Sequence, residues 1–425
     1  MAMIRRLVMY LPRVVDCVVS RHLDGFGGVL IEGVRACGKT ETGRHHAASE
    51  IALDSSSIGV RTALETDPSL VLEGETPRLI DEWQVEPLLW NDVRREIDAR
   101  GKPGQFILTG SAVPADNERR HPGSHRIMKA RMRPMTLHER GLGVSRVSLE
   151  GLFSGRAFET TLEPDIDIRD VLDQLVHGGW PGDLHKSASQ AQDGLQAYID
   201  EVISSDLARL DNEPRRDPIR MWELFRSLSR HVGTEVQYTT IAGDTSATTP
   251  IAPETVVEYL NTLQRLFLLE YQDAWAPHIR SRYAVRTSPK IHFVDPALAA
   301  AALGVGVDRL LNDLETAGQW FESWIVQHLR VFAEPLRGRV LHYRDKSGRE
   351  ADAVVVLPDG SWGAVEVKLG QRQVQAGKDS LLKFADTINI DKTGAPAFLA
   401  VVTANGPTMR MGDGVITFPI SSLAP

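Results

Sequence analysis

The chain has 425 residues, of which 42% are hydrophobic and 24% charged, and its formal net charge is −8. This composition excludes a disordered, collagenous or coiled-coil protein, and the acidic balance argues against bulk nonspecific coating of DNA. Two cysteines cannot build a disulfide framework, and the longest apolar runs are too short to cross a bilayer. We therefore expect a globular, cytoplasmic chain with no membrane segment.

Apolar runs alternate with amphipathic stretches in the first third of the sequence. The patterns predict strands at 28–33, 78–80 and 106–110, and a helix at 88–99. This alternation is typical of an α/β fold in which helices cover a parallel sheet.

Residues 33–40 match the phosphate-loop pattern G-x-x-x-x-G-K-[ST] at every position. The loop consists of Gly33, Val34, Arg35, Ala36, Cys37, Gly38, Lys39 and Thr40. Glycines let the backbone N–H groups point at phosphate oxygens, and a helix starting near Lys39 would add its dipole. Lys39 would contact the β- and γ-phosphates of ATP, and the Thr40 hydroxyl would bind Mg²⁺.

Two acids end the next predicted strand, at Asp81 and Glu82. Asp81 would hold the metal through water, and Glu82 would act as the general base on the attacking water. The third strand ends in two hydroxyl groups, Thr109 and Ser111, which would sense the γ-phosphate or orient the water; the alternative is a plain strand end. The histidines show no metal spacing, and His45-His46 is expected to begin a helix and to be solvated.

The order of phosphate loop, Asp-Glu strand and polar strand tip resembles the AAA+ and related P-loop ATPases. More narrowly, the chain resembles a prokaryotic family that joins such an ATPase to a C-terminal domain of unknown function. The resemblance covers most of the chain and rests on the loop and on the motifs at 10–13, 80–84, 106–111, 132–139 and 178–182. It implies ATP and Mg²⁺ as cofactors and a homo-oligomer, such as a hexameric ring. Glu41 departs from the threonine that this family usually has there, and an acid beside the triphosphate would weaken binding.

A basic segment extends from 119 to 140, with a single acid at Glu139. Its basic residues are Arg119, Arg120, Arg126, Lys129, Arg131, Arg133 and Arg140. The AAA+ resemblance implies that a neighbouring subunit supplies an arginine to the phosphate site. Arg126 is the first candidate, followed by Arg131 and Arg133. The alternative is a solvated basic face or a contact with nucleic-acid phosphates.

The middle of the chain has helical patterns. One helix is stopped by the glycines at 178–179, and three more, at 219–232, 238–243 and 254–269, suit a winged-helix unit. Glu254 and Glu258 lie near the start of the helix that would read DNA, where basic or amide side chains are usual. We favour a lid or connector over a DNA-reading module.

Four charged residues mark the C-terminal region. A helix at 318–333 carries Glu322, a strand at 349–357 carries Asp352, and a strand at 362–369 carries Glu366 and Lys368. This order resembles the PD-(D/E)xK nucleases, which implies that Asp352 and Glu366 bind Mg²⁺ and that Lys368 orients or activates water. The alternative is a hairpin with charged residues on its wet face.

The length of the connection between these two strands separates the alternatives. A two-residue turn at Asp359-Gly360 would place Asp352 opposite Val367, on the face away from Glu366 and Lys368. The metal-site interpretation therefore requires an odd-length connection, such as three or five residues, that places Asp352 opposite Glu366 or Lys368.

The sequence thus predicts three regions: an AAA+-like P-loop ATPase core at 1–150, a helical lid and winged-helix-like region at 151–300, and a PD-(D/E)xK-like α/β domain at 301–425. The predicted function is Mg²⁺-dependent ATP hydrolysis by an oligomer that acts on a macromolecule, with DNA or another nucleic acid as the first choice. A nucleotide-gated scaffold with little hydrolysis and an ATP-regulated nuclease are the alternatives.

Overall fold

The structure is a computed structural model that describes residues 10–112, 125–164, 166–206, 217–245, 251–277 and 288–425. It separates into two compact units, Met1–Met132 and Arg133–Pro425. Arg119 and Arg120 of the basic segment lie outside the described residues. None of the described helices is long and apolar enough to span a membrane. The three-region division stays a prediction.

The first unit is a parallel sheet with helices. Its strands are β1 (Gly28–Gly33), β2 (Ser49–Ala52), β3 (Arg78–Asp81), β4 (Phe106–Gly110) and β5 (Ile127–Met132), and its helices are α1 (Asp16–Gly25), α2 (Lys39–His46), α3 (Ile58–Thr66) and α4 (Leu89–Arg100). The strand order is β2-β3-β4-β1-β5, and every pairing is parallel. The carboxyl ends of β1, β3 and β4 therefore meet at one edge of the sheet.

The core of this unit explains why α4 forms. Leu30, Ile80 and Leu108 are buried on the sheet, and Trp90 and Val93 of α4 belong to the same apolar cluster. The helix ends at Gly101, whose φ of 60° is left-handed, the usual backbone of a helix C-terminus.

The sequence patterns did not reveal one strand of this unit, and one local prediction fails in part. The basic segment contains β5, which pairs with β1 along its whole length. His45 and His46 end α2 instead of beginning a helix. His45 is exposed, as predicted, but only 13% of the His46 side chain is exposed. The extent of α2 could not be predicted from apolar periodicity, because polar residues such as Lys39 and Thr42 occupy its buried positions.

The second unit contains the helical middle and a mixed sheet. Its strands are β6 (Val147–Ser148), β7 (Leu269–Gln272), β8 (Lys290–Phe293), β9 (Arg339–Arg344), β10 (Glu350–Val356), β11 (Trp362–Lys368), β12 (Phe398–Thr403), β13 (Met409–Arg410), β14 (Ile416–Pro419) and β15 (Leu423–Ala424). Its α-helices are Leu149–Phe153, Ile168–His177, Ala188–Glu201, Pro218–Arg230, Tyr238–Asp244, Pro253–Arg265, Ala297–Leu303, Val307–Leu311, Leu314–Ala333, Val374–Ala385 and Ile390–Thr393.

The larger sheet of this unit has the order β13-β14-β12-β11-β10-β9. β9, β10 and β11 are antiparallel neighbours, whereas β11, β12 and β14 run parallel. The helix Leu314–Ala333 is mostly buried, with Trp320 and Trp324 in its interior face. The three helices predicted in the middle region are confirmed, as Pro218–Arg230, Tyr238–Asp244 and Pro253–Arg265. Separately, β7 pairs with β8 in an antiparallel ladder. The whole chain is thus mixed α/β, with a parallel N-terminal sheet, a helical middle and a C-terminal sheet.

Candidate functional site

The phosphate loop adopts a backbone that ordinary residues resist. Ala36 and Gly38 have φ values of 61° and 104°, both left-handed, and α2 begins directly after Gly38. A Cβ added to Gly33 would lie 2.0 Å from the carbonyl oxygen of Met132, so only glycine fits there. The loop therefore turns sharply between β1 and α2, and the first N–H groups of an α-helix have no acceptor within the helix and can bind an anion.

Two buried cations hold the loop in this shape. Arg13 donates from Nη1 to the Cys37 carbonyl at 2.8 Å. Lys39 is only 4% exposed, and its Nζ donates to the Val34 carbonyl at 2.9 Å. The Lys39 ammonium thus lies against the backbone of the loop.

Oxygen ligands meet beside the loop. Thr40 Oγ1 donates to Asp81 Oδ1 at 2.9 Å, and Thr109 Oγ1 donates to the same carboxylate oxygen. β4 lies between β1 and β3, so its tip brings Thr109 to Asp81 and Glu82. The expected role of Thr109 and Ser111 at the γ-phosphate or the attacking water stays a prediction. A hydroxyl and a carboxylate are hard oxygen donors, the kind that Mg²⁺ prefers, and the residues present therefore fit this metal.

Glu82 is held in a strained backbone conformation next to Asp81. Its φ of 57° is left-handed, and its N–H donates to Thr109 Oγ1 at 3.2 Å. Gln84 Nε2 donates to Glu82 Oε2 and, at 3.2 Å, to Ser111 Oγ. Burial raises the pKa of Glu82 above its usual range, although the nearby Lys39 ammonium acts in the opposite direction. A buried carboxylate with a raised pKa is a better proton acceptor than an exposed one.

The candidate arginines lie in different environments. Arg126 precedes β5 at the amino edge of the sheet, away from its own phosphate loop, and pairs with Asp98 at 2.7 Å. Arg131 is aligned with Glu32 near the carboxyl end of β1. Arg133 is 11% exposed and pairs with Glu270 and Glu334 inside the second unit, which commits its guanidinium to that unit.

Glu41 lies in the first turn of α2 with its side chain 63% exposed. It pairs with Arg44 at 2.6 Å, and Arg44 also pairs with Glu50. An acid in the first turn is favoured by the helix dipole, and Arg44 offsets part of its charge.

In the second unit, the connection between β10 and β11 has five residues, 357–361. The register pairs Ala353 with Val365, which sets Asp352 opposite Glu366. Asp352 is 7% exposed and Glu366 is 2% exposed, and Asp352 Oδ2 accepts from the Val367 N–H at 2.7 Å. The connection therefore has the odd length that the metal-site interpretation requires. The alternative, a hairpin with these acids on its solvent-exposed face, is wrong because both carboxylates are buried.

Two lysines complete this carboxylate cluster. Lys368 Nζ contacts Glu366 Oε1 at 2.8 Å, and Lys290 Nζ contacts Glu322 Oε1 at 2.6 Å. Burial and the Asp352 charge raise the pKa of both Glu322 and Glu366 well above the usual carboxyl range. The ligand atoms of Glu322, Asp352 and Glu366 do not all lie within 4.8 Å of one another. The cluster thus consists of buried carboxylates that repel one another, with Lys290 and Lys368 offsetting part of their charge.

Sequence reasoning did not assign three residues of these two sites. Arg13 and Gln84 lie within motifs that carried the family resemblance, yet neither has a role that spacing reveals. Lys290 comes from β8, far along the chain from the acids that it neutralises. A lone lysine in a short strand carries no signal of a partner 32 residues away.

Comparisons with known proteins divide the chain into three matched parts. The family model described as AAA domain matches residues 26–140, and two domains of unknown function, DUF8612 and DUF4143, match residues 168–309 and 317–423. The AAA-domain match supports an ATPase-type function for the N-terminal region. A comparison with curated proteins finds no match.

Solved structures resemble the chain distantly. A Walker-type ATPase of Pyrococcus abyssi is 13% identical, with a TM-score of 0.41 over 69% of this chain and 96% of that one. The ORC1 protein of Aeropyrum pernix, in complex with DNA, is 12% identical, with a TM-score of 0.24 over 72% and 97%. DnaA of Aquifex aeolicus, bound to AMPPCP, is 11% identical, with a TM-score of 0.25 over 59% and 86%. At these scores the likeness carries no functional conclusion.

Proposed function

We propose that the first unit binds ATP with Mg²⁺ and hydrolyses it. The observation that carries the proposal is the contact of Thr40 with Asp81 at 2.9 Å, directly beside a phosphate loop of the required backbone shape. Lys39 and the N–H groups of 33–40 bind the phosphates, and Thr40 and Asp81 hold the metal. When bound, Mg²⁺ neutralises charge on the phosphate oxygens.

Glu82 is the general base in this proposal. Its carboxylate accepts a proton from the attacking water, and Gln84 and Ser111 hold that carboxylate in place through their contacts with it. Thr109 orients Asp81 and the Glu82 backbone together. Positioning of this kind is where most of the rate enhancement in phosphoryl transfer comes from.

The test is steady-state ATP turnover by the wild type and two variants, Lys39→Ala and Glu82→Gln. We expect both variants to lose at least about a hundredfold in turnover, with Glu82→Gln still binding ATP. Lys102→Ala and Glu73→Gln change exposed residues of the same unit and serve as matched controls. Equal phosphate release by all five proteins would refute the proposal. Binding without any turnover by the wild type would favour the nucleotide-gated scaffold.

The proposal includes self-association, in which a neighbour's arginine completes each site. Mixing tests it: Lys39→Ala is inactive through its loop, and Arg126→Ala or Arg131→Ala would be inactive through the donated arginine. If one of these arginines acts between subunits, mixing that variant with Lys39→Ala restores part of the turnover. No recovery in either mixture, with light scattering showing a monomer, would contradict self-association.

The proposal also names nucleic acid as the macromolecule on which the ATPase acts. Stimulation of ATP turnover by branched DNA, single-stranded DNA or RNA tests this part.

A nuclease is the second candidate function, favoured by the register that sets Asp352 opposite Glu366 beside Lys368. The three-region division, with a PD-(D/E)xK-like region from 301, belongs to this proposal. Nucleic-acid cleavage that requires Mg²⁺ or Mn²⁺, survives Asp359→Asn and is lost in Asp352→Asn would support it. Asp359 is the control because it is an exposed acid in the connecting segment. No cleavage of any DNA or RNA form would retire it.

A further inference from the structure

Three side chains that can bind a metal meet where α1 begins and α2 ends. The ligand atoms of Asp16, His45 and His46 all lie within 4.8 Å of one another. Across the residues that the structure describes, no other three His, Cys, Asp or Glu side chains meet this criterion. Neither the phosphate loop nor the carboxylate cluster of the second unit uses these groups.

The distance between two of these ligand atoms suits a tetrahedral ion. With metal–ligand bonds of 2.0–2.1 Å, two corners of a tetrahedron are separated by about 3.3 Å. His46 Nε2 and Asp16 Oδ1 are 3.3 Å apart. These two atoms, which are hydrogen-bonded in the structure, lie at the separation of two zinc ligands, and a ring nitrogen of His45 lies within 4.8 Å of both.

Neighbouring groups hold Asp16 and His45 in place. Tyr10 donates its OH to Asp16 Oδ1 at 2.6 Å, and its ring stacks on that of His45 with centroids 4.3 Å apart. The Arg13 N–H donates to Asp16 Oδ2 at 2.7 Å, which fixes the carboxylate plane. Hydrogen bonds and packing contacts made to the ligating side chains orient those side chains in metal sites.

The electrostatics of the position favour a cation. His45 and His46 occupy the last turn of α2, where the helix dipole presents its negative end. Arg44, the other basic residue of that turn, forms ion pairs with Glu41 and Glu50. These two acids offset its positive charge, which would otherwise repel a cation. Two imidazoles and one carboxylate form a donor set that Zn²⁺ accepts.

We propose that Asp16, His45 and His46 bind a zinc ion, with Tyr10 as a positioning residue. Binding needs the lone pair of His46 Nε2, so the ring proton moves to Nδ1 through solvent. The ion ties α1 to α2, the helix whose first residue is Lys39, and it is a structural clamp on the phosphate-loop helix. The site does not depend on ATP hydrolysis by the first unit.

The test is a titration of the tag-free, chelator-treated full chain with Co²⁺, followed by Zn²⁺. We expect one equivalent of Co²⁺ to give the intense visible absorption of a tetrahedral site, which Zn²⁺ then removes. His45→Ala and His46→Ala should weaken binding roughly a hundredfold or more, since even outer contacts of metal sites contribute ten- to a hundredfold. His185→Ala, an exposed histidine in the second unit, should leave binding unchanged.

Circular dichroism checks that each variant is folded, and Asp16→Asn gives a third variant that keeps the side-chain shape. A wild-type spectrum of weak, octahedral Co²⁺ would overturn the proposal without reference to any variant. Undiminished tetrahedral binding in His45→Ala and His46→Ala would overturn it as well.

Discussion

Glu82 has a left-handed backbone, with φ of 57°, that residues with a Cβ adopt reluctantly. Strain of this kind persists where the surrounding structure imposes it, and at functional sites it often serves to position a reacting group. Here the conformation turns the chain directly after β3 and brings the carboxylate to Gln84 and Ser111. Glycine would adopt this backbone without strain, whereas only glutamate supplies the carboxylate that the proposed function uses.

Replacement of Glu82 by glycine and by alanine separates strain from chemistry. Both variants lose the carboxylate, so we expect both to lose ATP turnover. Glu82→Gly should be more stable than Glu82→Ala by about 1 kcal/mol, because only the glycine relieves the left-handed backbone. Urea unfolding followed by tryptophan fluorescence measures this difference. An alanine variant as stable as the glycine variant would show that the backbone is unstrained.

The raised pKa of Glu82 predicts the acid side of the pH–rate profile. A base must be ionised to accept a proton, so turnover falls as the pH drops through the pKa of this group. Because burial raises that pKa, the fall should begin at a higher pH than an exposed glutamate would give. The profile of kcat from pH 4.5 to 8.5 measures it. A rate that stays flat to the acid end of this range would exclude Glu82 as the base.

At the scale of elements, the close approach of β1 and β5 fixes the start of the phosphate loop. Gly33 ends β1 against the Met132 carbonyl of β5, and a side chain there has no space. The loop geometry therefore depends on a strand far along the chain. The Met132 carbonyl also accepts from the thiol of Cys37, 95 residues earlier.

Gly33→Ala should lose ATP binding and about 1–3 kcal/mol of stability, because the added methyl group pushes β5 away from the loop. Gly25→Ala is the matched control, since a Cβ there meets no atom within 4 Å. Isothermal titration with an ATP analogue and thermal unfolding measure the two effects. Retention of nucleotide affinity by Gly33→Ala would contradict the packing argument.

Periodicity predicted the elements that carry strong patterns. β1 and β4 have the bounds that the apolar runs gave, and the observed β10 and β11 differ from their predicted bounds by one residue at one or both ends. β5 was missed because its inward residues, Ile127, Ala130 and Met132, are interrupted by basic ones. The sequence left two possible registers between β10 and β11, one with Asp352 on the same face as Glu366 and one with it on the opposite face. It could not decide between them, because the length of the connection depends on the backbone that 357–361 adopts. Contacts such as that of Lys290 with Glu322 depend on tertiary packing and leave no local pattern.

For the molecule as a whole, the carboxylate cluster of the second unit links stability to pH. Glu322 and Glu366 have pKa values raised by burial and by Asp352, so the folded chain binds more protons than the unfolded chain between the ordinary carboxyl range and the raised values. The free energy of unfolding must then fall as the pH rises through that interval.

Glu366→Gln should reduce this dependence, since the amide carries no charge at any pH. We expect the loss of stability between pH 5 and pH 8 to be smaller in the variant than in the wild type. Chemical unfolding at both pH values measures the two losses, and Glu73→Gln, an exposed acid, is the control. Equal losses in wild type and Glu366→Gln would show that this glutamate has an ordinary pKa.

The central claim is that the loop at 33–40 and the acids after β3 form one magnesium–ATP site. Crystals grown with Mn²⁺ and a non-hydrolysable ATP analogue test it most directly, because Mn²⁺ is located by its anomalous scattering. We expect the triphosphate on the N–H groups of the loop, the metal peak beside Thr40 and Asp81, and Glu82 facing the γ-phosphate. An analogue bound elsewhere, or a metal peak away from Thr40 and Asp81, would contradict the account.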